Sequence, residues 1–301
     1  MASGAERVTI VIRTKDRPQF LARALDDIAA QTFADWRIQL VNDGGAVAPV
    51  DQAVELRRDV LGDRIEVTHV AGGTGSMEAA ANLGAQQGTG EFVVIHDDDD
   101  TWDPDFLKET VAALDADASA VAVAVKTPIV FERVDRDRIV ETGRGTWDPP
   151  GDIVTLFDML MANRVVPISL LVRRSVYDQI GWYDPQLKAT GDWEFNLRLV
   201  RLGPVPYLAD RPLAYWHQRP KASGSSANST LGARLDHLHF DRIVREQALR
   251  EYVDQHGVGG LLYLTKYIDE RLMHHSLVGI VRRIRTRVAL RLRRLLRLGS
   301  R

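Results

Sequence analysis

The 301-residue chain is 45% hydrophobic and 27% charged, enough to bury one large core or two smaller ones at a charge density ordinary for a globular protein. It contains no cysteine, which excludes disulfides and thiolate metal sites and fits a reducing compartment. The net charge of −2 hides an asymmetry: residues 272–301 carry nine Arg and no Asp or Glu, so a basic end is set against an acidic body.

In chain order, the β-branched run at 8–12 reads as a buried strand and ends in Arg13-Thr-Lys-Asp-Arg-Pro18. A helical pattern follows with Phe20, Leu21, Leu25 and Ile28. A second strand at 38–41 ends in Asn42-Asp43-Gly44-Gly45, and a third at 65–70 leads through Gly72, Gly73 and Gly75 to an Ala-rich helix over 77–87. A fourth strand, 92–95, precedes a helix over 104–114, and a fifth strand lies at 121–125. Strands alternating with helices predict an α/β fold with a mostly parallel sheet, and ligands of such sheets bind at the carboxyl ends of the strands. Asp16, Arg17, Asp43 and Asp97 to Asp100 all fall at those ends.

The second half is less regular. Residues 133–150 are expected to form a loop with short strands, 165–172 a strand, 174–180 a short helix, 192–202 a helix and 213–217 a last short strand. The Ser, Gly and Asn of 220–230 predict a mobile loop, and everything beyond Arg234 reads as helical. The expected division is 1–230 for an α/β domain and 231–301 for a helical extension.

The densest chemistry is Glu91-Phe-Val-Val-Ile-His-Asp-Asp-Asp-Asp-Thr-Trp102, an apolar strand running into four consecutive carboxylates. Adjacent like charges repel and call for a counter-charge. A divalent cation with hard oxygen ligands, bridging carboxylates to substrate phosphates, meets that need. The plainer reading is a solvated acidic turn that caps the following helix.

Together the motifs resemble the family 2 glycosyltransferases of the GT-A fold, over roughly residues 8–226. Five segments carry the resemblance: Val11-Ile-Arg-Thr-Lys-Asp-Arg-Pro18; Leu40-Val-Asn-Asp-Gly44; Asn82-Leu-Gly with Gly90-Glu-Phe; Ile95-His-Asp-Asp-Asp-Asp-Thr-Trp102; and Gly181-Trp-Tyr-Asp-Pro-Gln-Leu187 leading to Gly191-Asp-Trp-Glu194. The resemblance implies a Rossmann-like GT-A domain that binds a nucleoside-diphosphate sugar (UDP, dTDP or GDP) with Mn²⁺ or Mg²⁺ and transfers the sugar with inversion. It assigns Thr14, Asp16, Arg17 and Asp43 to the base and ribose, with Gly44, Asn82, Asp97, Asp98 and Lys221 also in the donor site. It makes Asp99 a metal ligand, with Asp97 in the metal shell or at the ribose and His217 approaching the metal or diphosphate. Asp192 stands where the family keeps its general base; by its residue type alone it reads equally as a helix cap.

Two departures stand out. The family's usual Glu-Asp pair is here Gly191-Asp192, and the Arg many relatives place before the Asn is here Ala81. Phosphate charge is then expected to be met by the metal, Arg17 or Lys221, with Arg219 also near the diphosphate. Trp182 and Tyr183 are candidates for a sugar platform or for ordinary packing, and His96, inside an apolar strand, for a structural role.

At the C-terminus Leu277, Val281, Ile284, Val288, Leu292 and Leu295 form a helical stripe flanked by Arg. A basic amphipathic helix predicts contact with an anionic membrane surface, the alternative being packing on protein. Without interleaved aromatics it does not predict nucleic-acid binding. Residues 1–7 lack a basic-then-apolar leader and no apolar run is long enough to span a bilayer, so the expected address is cytoplasmic and peripheral to the membrane's inner face. The expected acceptor is accordingly a lipid-linked or cell-envelope glycan. Two other classes are open: a haloacid-dehalogenase-like phosphohydrolase, whose DxDxT pattern fits 97–101, and a non-catalytic scaffold of the same fold.

Overall fold

A computed structural model of the chain describes residues 6–135, 138–149, 151–220 and 234–275, with 222, 224 and 228 between them. It divides into one compact unit through Arg242 and another from Ile243 onward. The basic stripe at 277–301 and Lys221 lie outside the described residues.

The first unit is built on an eight-stranded sheet whose four leading strands are parallel: β1 (Val8–Thr14), β2 (Trp36–Asp43), β3 (Ile65–Val70) and β4 (Phe92–Asp97), lying in the order β3-β2-β1-β4. β1 and β4 are covered on both faces, which is why they read as nearly unbroken apolar runs. Helix α1 (Pro18–Ala29) has Pro at its start, where the missing N–H costs nothing, and buries Phe20, Leu21, Ala24, Leu25 and Ile28 as one stripe. Helices α2 (Val47–Glu55) and α3 (Arg58–Leu61) follow β2. Helix α4 (Met77–Gln87) starts at Ser76, whose hydroxyl accepts a hydrogen bond from the Ala79 N–H. Small residues let α4 approach the sheet closely: a Cβ on Gly84 would stand 2.5 Å from Val11 Cγ1. That approach brings Met77 and Glu78 to the carboxyl edge of β1 and β2.

After β4 the chain turns through the aspartates into β5 (Thr101–Trp102) and α5 (Phe106–Ala116), with Trp102 stacked on Phe106 at 4.2 Å. β6 (Ala122–Val125) leads to an antiparallel hairpin, β7 (Ile129–Asp135) and β8 (Arg138–Gly145), longer and more regular than the loop with short strands expected over 133–150. Next come β9 (Ile153–Val154) and α6 (Leu156–Met161), the latter begun by a reciprocal capping pair of Thr155 and Asp158. The strand expected at 165–172 is shorter, because Pro167 opens a 3₁₀ turn before β10 (Leu170–Arg173). β10 runs antiparallel between β4 and β6. The chain continues through α7 (Arg174–Ile180), α8 (Gly191–Leu199), β11 (Val205–Leu208) and β12 (Ala214–Gln218). A second, four-stranded sheet, β5-β12-β7-β8, stands over the end of the aspartate turn. Helices α9 (Arg234–His256) and α10 (Gly259–His275) complete the described chain. Among the described residues no helix is long and apolar enough to cross a membrane.

Candidate active site

The carboxyl ends of β1, β2 and β4, the starts of α4 and α8, and the end of β12 enclose a cavity of about 500 Å³. Asp97 to Asp100 form one side, and Asp192 and Glu78 line the same cavity.

The acidic run is held mainly by arginines. Arg13 and Asp97 are register neighbours on adjacent parallel strands, and the guanidinium donates to both carboxylate oxygens at 2.6 and 3.2 Å. Burial alone would raise Asp97; the Arg13 charge and hydrogen bond hold it below the usual range. Thr14 donates to Asp98 at 2.7 Å, and Arg17 reaches Asp98 at 3.2 Å and Asp99 at 3.4 Å. Burial and the neighbouring Asp99 charge nonetheless push Asp98 up. Asp99 also accepts from Arg219 and from Asn228. Asp100 accepts the His217 backbone N–H at 2.8 Å, and burial drives its carboxyl well upward.

Behind the run lies a hub that sequence reasoning missed. Glu132 of β7 accepts from Arg23 at 2.9 Å, from His217 at 2.8 Å and from Arg219. Burial would raise Glu132, but the His217 and Arg23 hydrogen bonds bring it down to about 2. Arg219 is 2% exposed, lies over the Phe20 ring and bridges Glu132 to Asp99, bracing the acidic run from within.

Asp192 lies inside the first turn of α8, one residue after Gly191, and Thr190 holds the cap position without a side-chain hydrogen bond. The capping role is therefore not its place. Its carboxylate accepts from Asn163 at 2.8 Å, and Asn163 in turn is fixed by Val165 and Asn196. Burial raises Asp192 above the ordinary carboxylate range.

Of the residues singled out from the sequence, Thr14, Asp16, Arg17, Asp43, Asp97, Asp98, Asp99 and Asp192 line the cavity. Asp16 adopts φ +53°, and its carboxylate accepts the Ala46 N–H, tying the β1 loop to the β2 loop. Gly44 does not line the cavity: it turns at φ +81°, where a Cβ would meet Gly73 N at 2.8 Å. Asn82 does not line it either; its amide exchanges hydrogen bonds with both backbone groups of Tyr183 at 2.8 and 3.0 Å. His217 does not line the cavity: one ring nitrogen faces Thr101 at 2.8 Å and the other Glu132 at 2.8 Å. Burial lowers its pKa. His96, fully buried against Asp27 and the Asp97 carbonyl, is structural. Tyr183 lines the cavity, whereas Trp182 stacks on Tyr177. The phosphohydrolase reading loses its nucleophile, since Asp97 is clamped bidentately by Arg13.

Among the described residues no three His, Asp or Glu side chains converge on a metal position. The donor set still suits Mg²⁺ or Mn²⁺, which commonly take one or two carboxylates and fill the remaining positions with water and substrate phosphate. Asp98, Asp99, Asp100 and Glu132 are buried and Asp97 half-buried, and the five carboxyls meet four guanidinium groups, Arg13, Arg17, Arg23 and Arg219.

Comparisons with known proteins agree with this fold. The family described as Glycosyl transferase family 2 matches residues 9–180. The uncharacterized glycosyltransferase YwdF of Bacillus subtilis is 27% identical over 264 residues, 85% of this chain and 86% of its own. A PGL/p-HBAD biosynthesis glycosyltransferase of Mycobacterium bovis is 26% identical over 195 residues, 64% of this chain and 70% of its own. Among solved structures, S. aureus TarS 1–349 in complex with UDP-GlcNAc superposes with a TM-score of 0.60 at 19% identity, over 74% of this chain and 61% of that one. The mannosyltransferase PcManGT from Pyrobaculum calidifontis, in complex with GDP-Man and Mn²⁺, gives 0.57 at 15% identity, over 96% of this chain and 81% of that one.

Proposed function

The chain belongs to glycosyl transferase family 2 and has the GT-A fold, and from that premise we propose that it is a metal-dependent inverting transferase, moving a sugar from a nucleoside diphosphate to an acceptor hydroxyl. The observation that carries the reading is that Asp99 and Asp192 face one cavity at the carboxyl ends of the parallel strands.

In this reading Thr14, Asp16, Arg17 and Asp43 receive the base and ribose, and Asp98 stays neutral or hydrogen-bonded beside them. Asp99, with Asp97 in its shell, would hold Mn²⁺ or Mg²⁺, which supplies charge neutralisation for the departing diphosphate. Asp192, oriented by Asn163, takes the acceptor proton as the acceptor oxygen bonds to the anomeric carbon. The bond from that carbon to the diphosphate oxygen breaks with its electron pair leaving on the nucleoside diphosphate. One displacement without a covalent intermediate inverts the configuration.

We place the protein on the cytoplasmic side, with the basic stripe of 277–301 at an anionic membrane surface and a lipid-linked or cell-envelope glycan as acceptor. The support is the charge pattern of the sequence. A thermal-shift panel of UDP-, dTDP- and GDP-sugars with and without Mn²⁺ or Mg²⁺ tests the donor assignment. At least one nucleotide sugar should raise the melting temperature only when metal is present. No stabilisation by any of them would remove the reading.

A further inference from the structure

The wall of the cavity holds a carboxylate that the scheme above leaves unused. Glu78, in the first turn of α4, is 5% exposed and lines the cavity with Asp192. Its Oε2 is buried and has no hydrogen-bond partner. Gly191, immediately before Asp192, leaves room for it: a Cβ there would stand 2.3 Å from Glu78 Cγ and 2.8 Å from Oε1. Two carboxyls from different elements thus meet at one corner, one oriented by Asn163 and one with an oxygen unmatched. His237 of α9 adds a second unmatched atom, since its Nε2 is also buried without a partner and the residue lines the same cavity. Burial pushes the Glu78 carboxyl up to about 7, against the pull of Arg13 and with the push of Asp192. A buried carboxylate oxygen left without a donor is costly, and a native structure that keeps one calls for an explanation.

We propose that Glu78 binds the acceptor: its Oε2 receives a hydrogen bond from the hydroxyl next to the one whose proton Asp192 takes. The acceptor is therefore a polyol, a sugar ring offering two neighbouring hydroxyls, and not an isolated alcohol. This rests on the transferase reading and deepens it at the acceptor end.

The test uses the full chain with the nucleotide sugar identified by thermal shift. Octyl β-D-glucopyranoside, octyl β-D-galactopyranoside and octyl α-D-mannopyranoside serve as acceptors beside 1-octanol. Wild type is expected to use at least one glycoside and not 1-octanol. Glu78→Ala should raise the KM for that glycoside about tenfold or more, with a smaller change in kcat and nucleoside diphosphate affinity within about twofold. Glu78→Gln, which keeps the size and an acceptor oxygen, should recover most of the loss. Gly191→Ala, which displaces Glu78, should raise the same KM in wild type and add little in the Glu78→Ala background. Transfer to 1-octanol as readily as to a glycoside, or a KM within about twofold of wild type in Glu78→Ala, overturns the inference. Failure of the wild type to bind any nucleotide sugar would instead sink the transferase reading itself.

Discussion

The two ends of the cavity treat negative charge in opposite ways. At the β4 end, Asp97 is clamped by Arg13, Asp98 by Thr14 and Arg17, and Asp99 by Arg219 and Asn228, with Glu132 tying the arginines together behind. At the α4 and α8 end, Asp192 has one side-chain donor, Asn163, and Glu78 keeps an oxygen with none. The first end is a braced frame whose shape the protein fixes before anything binds. The second carries carboxyls raised by burial, in want of the hydroxyls that an acceptor would bring. In the proposed reading the braced end receives metal and diphosphate, and the unmatched end receives the acceptor.

The largest effect expected from breaking this contrast is at Asp192. Asp192→Asn should lower kcat about a thousandfold while nucleoside diphosphate affinity stays within about twofold, since the β4 end is untouched. In wild type a base must be ionised to act, so kcat should fall on the acid side, with a midpoint above the usual carboxylate range because burial raises Asp192. A nearly active Asp192→Asn would place the base elsewhere.

At the braced end the effect is on folding. Arg219→Met leaves Asp99 and Glu132 short of a buried partner and should cost about 3–5 kcal/mol of unfolding free energy, read from urea denaturation. A loss under about 1 kcal/mol would show that the frame is not what holds this end.

Glu78→Gln should do the reverse and stabilise. Its folded pKa, about 7, lies above the ordinary 4.5, so its favourable contribution is full below the ordinary value and lost as pH rises through the folded one. The variant should therefore gain about 1–3 kcal/mol near pH 8 and almost nothing near pH 4. The smallest change belongs to Thr14→Val, which removes one hydrogen bond to Asp98 and should cost about 1 kcal/mol of stability.

What the sequence revealed of this arrangement follows from how local each signal is. Helix α4 was legible over its whole length, because an Ala-rich run follows a glycine-rich turn, and Ser76 caps it in the structure. β1, β2 and β4 were legible as buried runs, but each continues two residues past its expected end, to Thr14, Asp43 and Asp97, because ladder pairing carries the strand on into polar residues. Helix α2 escaped notice, with Pro49 inside it and only Val50, Ala53 and Val54 buried. The β7–β8 hairpin read as a loop with short strands because it carries many charges and buries few side chains, Glu132 among them. The Glu132–Arg219 pairing joins positions 87 apart in the chain, and no local pattern announces such a partner. For the same reason the partners of His217 and Arg219, Glu132 and Asp99, were not foreseen. The meeting of Glu78 with Gly191 depends on how closely α4 packs, which spacing along the sequence does not encode.

Calorimetric titration of the matching nucleoside diphosphate in the presence of Mn²⁺, on wild type and on folded Asp99→Asn, tests the central claim most directly. Saturable binding by wild type that disappears without metal and is lost in Asp99→Asn is the predicted result. Metal-independent binding, or equal affinity in Asp99→Asn, would contradict it.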